Sequence, residues 1–275
     1  MKKNNKRLKI VVYSLLIGYC LLTLAPFLWS ILTSFKTSRE IASGITFFPR
    51  EWSFDGYKTI FASNFPIWIR NSLFVGIVVT LLNLTFNTMA GYALARIQFK
   101  GRNLIFQLFL FLIMVPSQVT MIPLYMVVSG LGLVDTHGAL ILTTMINITY
   151  IFMMRQFFVN FPKDVEEAAA IDGLSKFGTF FRIVLPNMKA SIATQAVFVF
   201  MGIWNEFMKP LLFISSIDKY MLTQGLNSIS KQYMTATKWD VVMSGAIISV
   251  IPILIIYIFL NKYFLRNSGQ STGLK

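Results

Sequence analysis

Residues 154–186 read MRQFFVNFPKDVEEAAAIDGLSKFGTFFRIVLP, the longest polar, helix-capable stretch between strongly apolar blocks. Asp164, Glu166, Glu167 and Asp172, four of the chain's eleven acids, fall within nine positions. Pro162 suits the start of a helix. Asp164, with Glu167 three residues on, has the spacing of a capping box, with Asp in place of Ser or Thr. Glu166 and Glu167 would then lie in the first turn, where carboxylates favour the positive end of the helix dipole. Ala168, Ala169 and Ala170 form helix readily and carry almost no side chain, so a helix here is thin enough to lie close to a partner surface. Gly173 fits the position that closes a helix in the left-handed conformation. A second short helix, over about 175–183, then runs to Leu185 and Pro186. The expectation is two short helices meeting at a glycine elbow on a membrane surface.

The flanks make it a membrane surface. Of 275 residues, 55% are hydrophobic and 13% charged, where a soluble domain carries about a quarter charged. The apolar residues gather in blocks of about twenty, the length that crosses a hydrocarbon core of roughly 30 Å. Lys2, Lys3, Lys6, Arg7 and Lys9 precede the first block, 10–33, which is too long for a signal peptide and lacks a cleavage motif. A polar stretch, 34–69, holds Trp52, Tyr57 and Trp68, aromatics suited to the membrane–water interface. Five more spans follow, at about 71–94, 104–128, 139–158, 190–207 and 241–263. Pro116 and Pro123 predict a kinked or interrupted third span. The core is 70–263 and the tail 264–275. The chain reads as an all-α integral membrane protein with six transmembrane helices.

Orientation follows from Lys and Arg. With the N-terminus inside, sixteen of the twenty-five fall in inner segments and nine in outer ones, the sign that the positive-inside rule demands. Both termini, and the loop at about 160–186, are then cytoplasmic. The net charge of +14 therefore reflects topology and contact with membrane lipids, and no nucleic-acid partner is expected. Cys20 and His137 stand alone in their types, which leaves neither a disulfide nor a metal site. No catalytic constellation and no phosphate-cradling glycine loop is present, so the chain is neither an enzyme nor its own ATPase.

At this point a resemblance enters. Glu167-Ala168-Ala169, then Gly173, then Ile183-x-Leu185-Pro186 resembles the EAA loop of ABC importer permeases. Ser34-Phe35-Lys36-Thr37 with Glu40-Ile41, then Tyr57 and Asn71-Ser72-Leu73, is similar to the opening of sugar-importer permeases. Trp204-Asn205-Glu206-Phe207 with Pro210-Leu211-Leu212 is similar to their fifth-span signature. The ending 269–275 is similar to that of the maltose-type, six-span subunit, although it departs from the commoner Thr-Ala-Gly-Ala-Val-Lys-Gly.

The resemblance implies a type I importer (MetI-like) bundle in a bacterial cytoplasmic membrane. It implies that Glu167, Ala168, Ala169, Asp172, Gly173, Ile183, Leu185 and Pro186 form the loop that couples to a cytoplasmic ATPase. It further implies a second permease subunit in a heterodimer and two ATPase subunits, which bind the ATP, leaving this chain without a cofactor. A sugar-binding lipoprotein or periplasmic binding protein would deliver an oligosaccharide or glycoside to the outer face. Glycerol-3-phosphate, an amino acid or a peptide are alternative solutes, and a stand-alone carrier is a further alternative. The spans lack the Asp, Glu and His chain of a proton-coupled carrier.

Polar residues inside the spans need partners or water. Asn83, Thr85, Asn87 and Thr88 cluster in the second span, Thr143, Thr144 and Asn147 in the fourth, Thr194 and Gln195 in the fifth. Two readings stand: Asn83, Asn87, Thr144, Asn147, Gln195, Asn205 and Glu206 line a path for a hydroxylated solute, or such groups bond helix to helix. For Glu206 the options are pairing with Lys209 at a helix end, a role at the outer gate, or docking of a binding protein.

Overall fold

The computed structural model describes residues 2–234 and 238–270, with side chains over 8–232 and 238–259. Every regular element among them is helical. In chain order these are α1 Lys2–Ser34, α2 Ser38–Ser43, α3 Asp55–Phe61, α4 Phe65–Arg96, α5 Arg102–Ile113, α6 Met121–Gly130, α7 His137–Thr144 and α8 Ile148–Val159. Then come α9 Lys163–Ile171, α10 Lys176–Thr179, a π-helical turn Phe180–Val184, α11 Leu185–Asn187 and α12 Lys189–Trp204. The chain closes with α13 Met208–Phe213, a 3₁₀ turn Ile217–Lys219, α14 Leu222–Met234 and α15 Trp239–Gln270. Residues 271–275 of the expected tail signature lie outside the described residues, as do the side chains of Lys2, Lys3, Lys6 and Arg7.

Four helical stretches are long and apolar enough to cross a bilayer: Leu8–Ser34, Phe65–Arg96, His137–Val159 and Trp239–Phe259. A fifth is a pair, Lys176–Asn187 and Lys189–Trp204, bent by 80°. The expected third span exists as two short apolar helices, α5 and α6. Proline explains the break: α5 stops at Ile113, three residues before Pro116, and Pro123 sits in the first turn of α6, where its missing N–H costs nothing. The fourth span is interrupted too, at 145–147, with no proline or glycine to mark it. There Asn147 turns extended and its side chain accepts a hydrogen bond from the Thr149 amide, restarting the helix as α8.

The chain forms two compact units, residues 1–66 with 225–251 and residues 67–224 with 252–275. In the first, the 34–69 stretch read as a polar loop is built around α2, α3 and an aromatic cluster in which Phe35 and Tyr57 are half-buried and Trp52 and Phe54 exposed. Phe35 has Trp52, Phe54 and Tyr57 at ring distances of 5.6, 5.4 and 5.2 Å. Glu40 organises the turn beyond α2, accepting from the Thr46 hydroxyl at 2.7 Å and the Arg50 amide at 3.0 Å. Gly56 is where α3 meets α15: a Cβ there would sit 2.7 Å from both the Asp240 carbonyl oxygen and the Ser244 hydroxyl.

The second unit has two apolar clusters. Val75, Val79, Val128, Leu140, Val199 and Phe213 form one. Tyr92, Met154, Phe158, Phe180 and Val184 form the other, to which the 160–186 loop itself contributes Phe180 and Val184. Gly91 lets α4 approach α8: a Cβ there would lie 2.8 Å from the Met154 Cβ and 3.0 Å from the Arg155 amide nitrogen. Trp68 is fastened to the 3₁₀ turn Ile217–Lys219. It is 4% exposed, with its indole N–H donating to the Ile217 carbonyl at 2.7 Å.

Candidate functional site

The loop between α8 and α12 folds largely as its residues dictate. Lys163 opens α9 behind Pro162, whose φ of −58° already suits a helix. Asp164 is thus inside the first turn rather than at the cap, and the expected capping box does not form; no side chain caps this end. Glu166 shares the first turn and Glu167 follows it, so the dipole argument holds for Asp164 and Glu166.

The other end closes as expected. Gly173 takes φ +81°, its amide donates to the Ala170 carbonyl at 3.1 Å, and the Leu174 amide reaches back to Ala169 at 3.0 Å. Those two bonds are the Schellman pattern that satisfies the orphaned carbonyls of a helix end. Ser175 then caps α10, accepting from the Gly178 amide at 3.1 Å. The chain continues through the π-helical turn, which brings Phe180 and Val184 onto the buried side, and bends by 80° after Leu185 and Pro186. Ile183 and Leu185 are half-buried, and Pro186 is exposed.

Helical geometry sorts the residues of α9. Ala169 is buried and Glu166 half-buried on one face, three residues apart. Glu167, Ala168, Ile171 and Asp172 are exposed, and Ile171 is 86% so. Phe177 on α10 adds a second exposed apolar side chain. Ile171 is thus a large aliphatic group in full view on a strongly acidic helix.

What holds α9 to the bundle was not among the expected site residues. Arg96, the last residue of α4, places its Nε 3.1 Å from Glu166 Oε1. The side chains are only 7% and 18% exposed. The contact is an ion pair without good hydrogen-bond alignment; the guanidinium donates its aligned bond to the Phe161 carbonyl, just ahead of α9. Burial pushes the Glu166 carboxyl above its ordinary value, while Arg96, the Tyr92 hydroxyl and Lys163 pull it back. A cavity of about 450 Å³ lies alongside, lined among others by Arg96, Arg102, Lys163, Glu166 and Glu167. The sequence offered a signal: an arginine ending an apolar helix, read only for topology, and a glutamate adjacent to the one singled out.

The polar residues of the spans fall into three groups. Asn83 and Gln195 are wholly buried: Gln195 Nε2 donates to Asn83 Oδ1 at 3.0 Å, and the Thr88 hydroxyl donates to Gln195 Oε1 at 2.9 Å. These bonds tie α4 to α12. Asn87, also wholly buried, accepts from the Asn147 amide at 3.4 Å, bridging α4 to the break in the fourth span. Glu206 Oε1 accepts from the amides of Phe207 and Met208, both at 3.0 Å, while its carbonyl accepts from the Thr223 hydroxyl at 2.6 Å. The expected Glu206–Lys209 pairing gives way to these: the Lys209 ammonium donates to the Thr143 carbonyl at 3.1 Å. Thr144 and Asn205 each bond back within their own helix.

A further polar knot, unforeseen, joins the segment after α6 to the segment after α13. Asp135 accepts from the amides of Ser215 and Ser216 at 3.0 and 2.9 Å and from the Lys219 ammonium at 2.8 Å.

With this geometry in place, comparison with known proteins is decisive. Residues 87–268, two thirds of the chain, match the family described as binding-protein-dependent transport system inner membrane component. The chain belongs to that family. This permease is 36% identical over 272 residues to the arabinooligosaccharides transport system permease protein AraQ of Halalkalibacterium halodurans, covering 96% of each chain. Its fold matches a chain of a bacterial ABC transporter involved in the import of the acidic polysaccharide alginate, with a TM-score of 0.83 at 22% identity, over 94% of this chain and 98% of that one. A second match, with a TM-score of 0.66 at 15% identity, covers 94% of each chain and comes from the alginate transporter in complex with an alginate pentasaccharide-bound periplasmic protein. The permease is thus a multi-pass membrane protein of an ABC importer. What it does is move a solute rather than transform one.

Proposed function

We propose that this permease subunit imports a sugar, an oligosaccharide or glycoside, through six membrane spans, with both termini and the 160–186 loop in the cytoplasm. The 36% identity to an arabinooligosaccharide permease over nearly the whole chain supports the substrate class. In this reading α5 and α6 together make the sixth crossing, since neither is long enough alone. A sugar-loaded binding protein, the counterpart of the one complexed with the alginate transporter, delivers solute to the outer face. A second permease subunit completes the pathway, and two cytoplasmic ATPases, which bind the ATP, drive it. Asn83, Asn87, Asn147 and Gln195 set helix contacts beside that pathway, while Thr144, Asn205 and Glu206, bonded within their own segments, lie along it.

One observation carries the coupling role: α9 turns Glu166 inward and leaves Glu167 and Ile171 outward on a thin alanine helix closed by Gly173. Glu167, Ala168, Ala169, Asp172, Gly173, Ile183, Leu185 and Pro186 then form the element that an ATPase grips. The test begins with the binding protein encoded beside this chain, screened for the sugars that raise its melting temperature. Uptake of that sugar into vesicles holding the whole complex should require ATP, and Glu167→Lys should weaken recovery of the ATPase with the permease. Uptake without any ATPase would sink the reading.

A further inference from the structure

The geometry points to the Arg96–Glu166 pair as the latch that transmits movement of the cytoplasmic α9 helix into α4, with Arg96 as a positioning residue for transport. The inference rests on the coupling role proposed for α9. Three features of the structure meet at this pair. Arg96 is the C-terminal residue of α4, a helix of 32 residues, so a pull on its guanidinium acts along the axis of a stiff rod. The same guanidinium holds α9 at the Glu166 carboxylate, 3.1 Å away, and holds the chain entering α9 at the Phe161 carbonyl. A planar fork gripping two points fixes orientation as well as distance, which a lysine at the same place cannot do.

The rod also has a second attachment. Roughly 12 and 20 Å up α4 from Arg96, at about 1.5 Å per residue, Thr88 and Asn83 bond Gln195 of α12 in a fully buried network. One helix therefore links the cytoplasmic loop to the middle of the bundle through two polar joints. The Gln195 joint is shielded from water and the Arg96–Glu166 joint is largely so, and there electrostatic bonds are stiffer and an unpaired partner is costly. Glu166 has little other support: removing Arg96 leaves a mostly buried carboxylate whose remaining neighbours are the Tyr92 hydroxyl and Lys163. The cavity beside the pair gives α9 room to shift when that hold is lost.

The experiment uses the full complex of both permease subunits, ATPases and binding protein in vesicles, reading sugar moved per ATP hydrolysed. Arg96→Gln is expected to lower that ratio by about tenfold or more, as befits breaking one side of a buried ion pair. Arg96→Lys should fall between. The exchange Arg96→Glu with Glu166→Arg should recover more of the ratio than either single change, and the ratio should differ between variants recovered as equal amounts of assembled complex, which a merely structural loss would not show. A wild-type ratio in Arg96→Gln overturns the latch, as does an exchange variant that assembles yet does no better than the single changes. Crosslinking from Glu167→Cys to the ATPase separates the two ideas. Failure to crosslink sinks the coupling role of α9, whereas crosslinking with an unaltered ratio in Arg96→Gln sinks the latch alone.

Discussion

Asp135 adopts a left-handed backbone, φ +58°, which Asp tolerates better than most residues and which aims its carboxylate at Ser215, Ser216 and Lys219. Lys219, the Ser216 hydroxyl and the two serine amides hold its carboxyl well below the usual carboxylate range. Asp135 in turn raises the Lys219 ammonium above its ordinary value. The depressed acid contributes stability that is whole above its unfolded value, about 3.9, and is lost as pH falls through the folded one. The raised base contributes below its unfolded value, about 10.4, and loses that as pH rises through its folded one. Asp135→Asn keeps the shape and the left-handed tolerance but drops the charge. Its melting temperature in the purified complex should lie below wild type by a constant margin from about pH 5 to 9, and the margin should shrink below about pH 4. A margin as wide at pH 2 as at pH 6 would show the charge to be irrelevant. None of this knot was legible in the sequence, because Asp135 and Lys219 are 84 positions apart and no local pattern joins them. The burial of Trp68 was illegible for the same reason, its partner Ile217 being 149 positions away.

At the scale of elements, what the sequence exposed were the features whose cause is local. The glycine elbow is one, since only the residue after α9 has to adopt positive φ. At Gly173 a Cβ would meet no atom within 4 Å, so φ alone sets the cost of a side chain. Gly173→Ala therefore strains the elbow by about 1–2 kcal/mol and should lower sugar uptake partially. Gly173→Pro is worse: proline holds φ near −65° and removes the amide that bonds Ala170, so uptake should fall to background while the complex still inserts and assembles. Normal uptake by Gly173→Pro would count against a stiff lever. The interruption of the third span was legible too, through its prolines, whereas that of the fourth rests on Asn87 in another helix and left no mark beyond Asn147 itself. Gly91 is a comparable long-range matter. Alanine there gains up to about 1 kcal/mol in helix propensity, but its Cβ would press on the Met154 Cβ and the Arg155 backbone, which cannot swing away. Overpacking of about 1–3 kcal/mol should win, and Gly91→Ala should lower the melting temperature by a few degrees. A rise would mean that α4 and α8 are looser than they look.

For the molecule as a whole, the question is which segments lie on which side. Lengths constrain the answer. At about 1.5 Å per residue, α5 and α6 reach roughly 18 and 15 Å, and only together do they match a hydrocarbon core of about 30 Å. If they cross as a pair, successive crossings put 97–101 and 160–188 on one side and 35–64 and 205–221 on the other. If either were a re-entrant half-helix instead, every segment after it would change sides and the exposed face of α9 would point outward. The charge bias of Lys and Arg favours the first arrangement, because it leaves sixteen of twenty-five inside. Labelling decides it. Cys20 is the chain's sole cysteine, so Cys20→Ser gives a clean background for single cysteines at four exposed positions, Asp55, Lys100, Glu167 and Asp218. A membrane-impermeant maleimide applied to intact cells should label Asp55→Cys and Asp218→Cys, and should reach Lys100→Cys and Glu167→Cys only after the membrane is opened. Labelling of Glu167→Cys in intact cells, with Lys100→Cys still protected, would mean that the α5–α6 pair fails to cross. The acidic helix would then face away from any source of ATP, and neither the elbow at Gly173 nor the hold of Arg96 on Glu166 could serve transport.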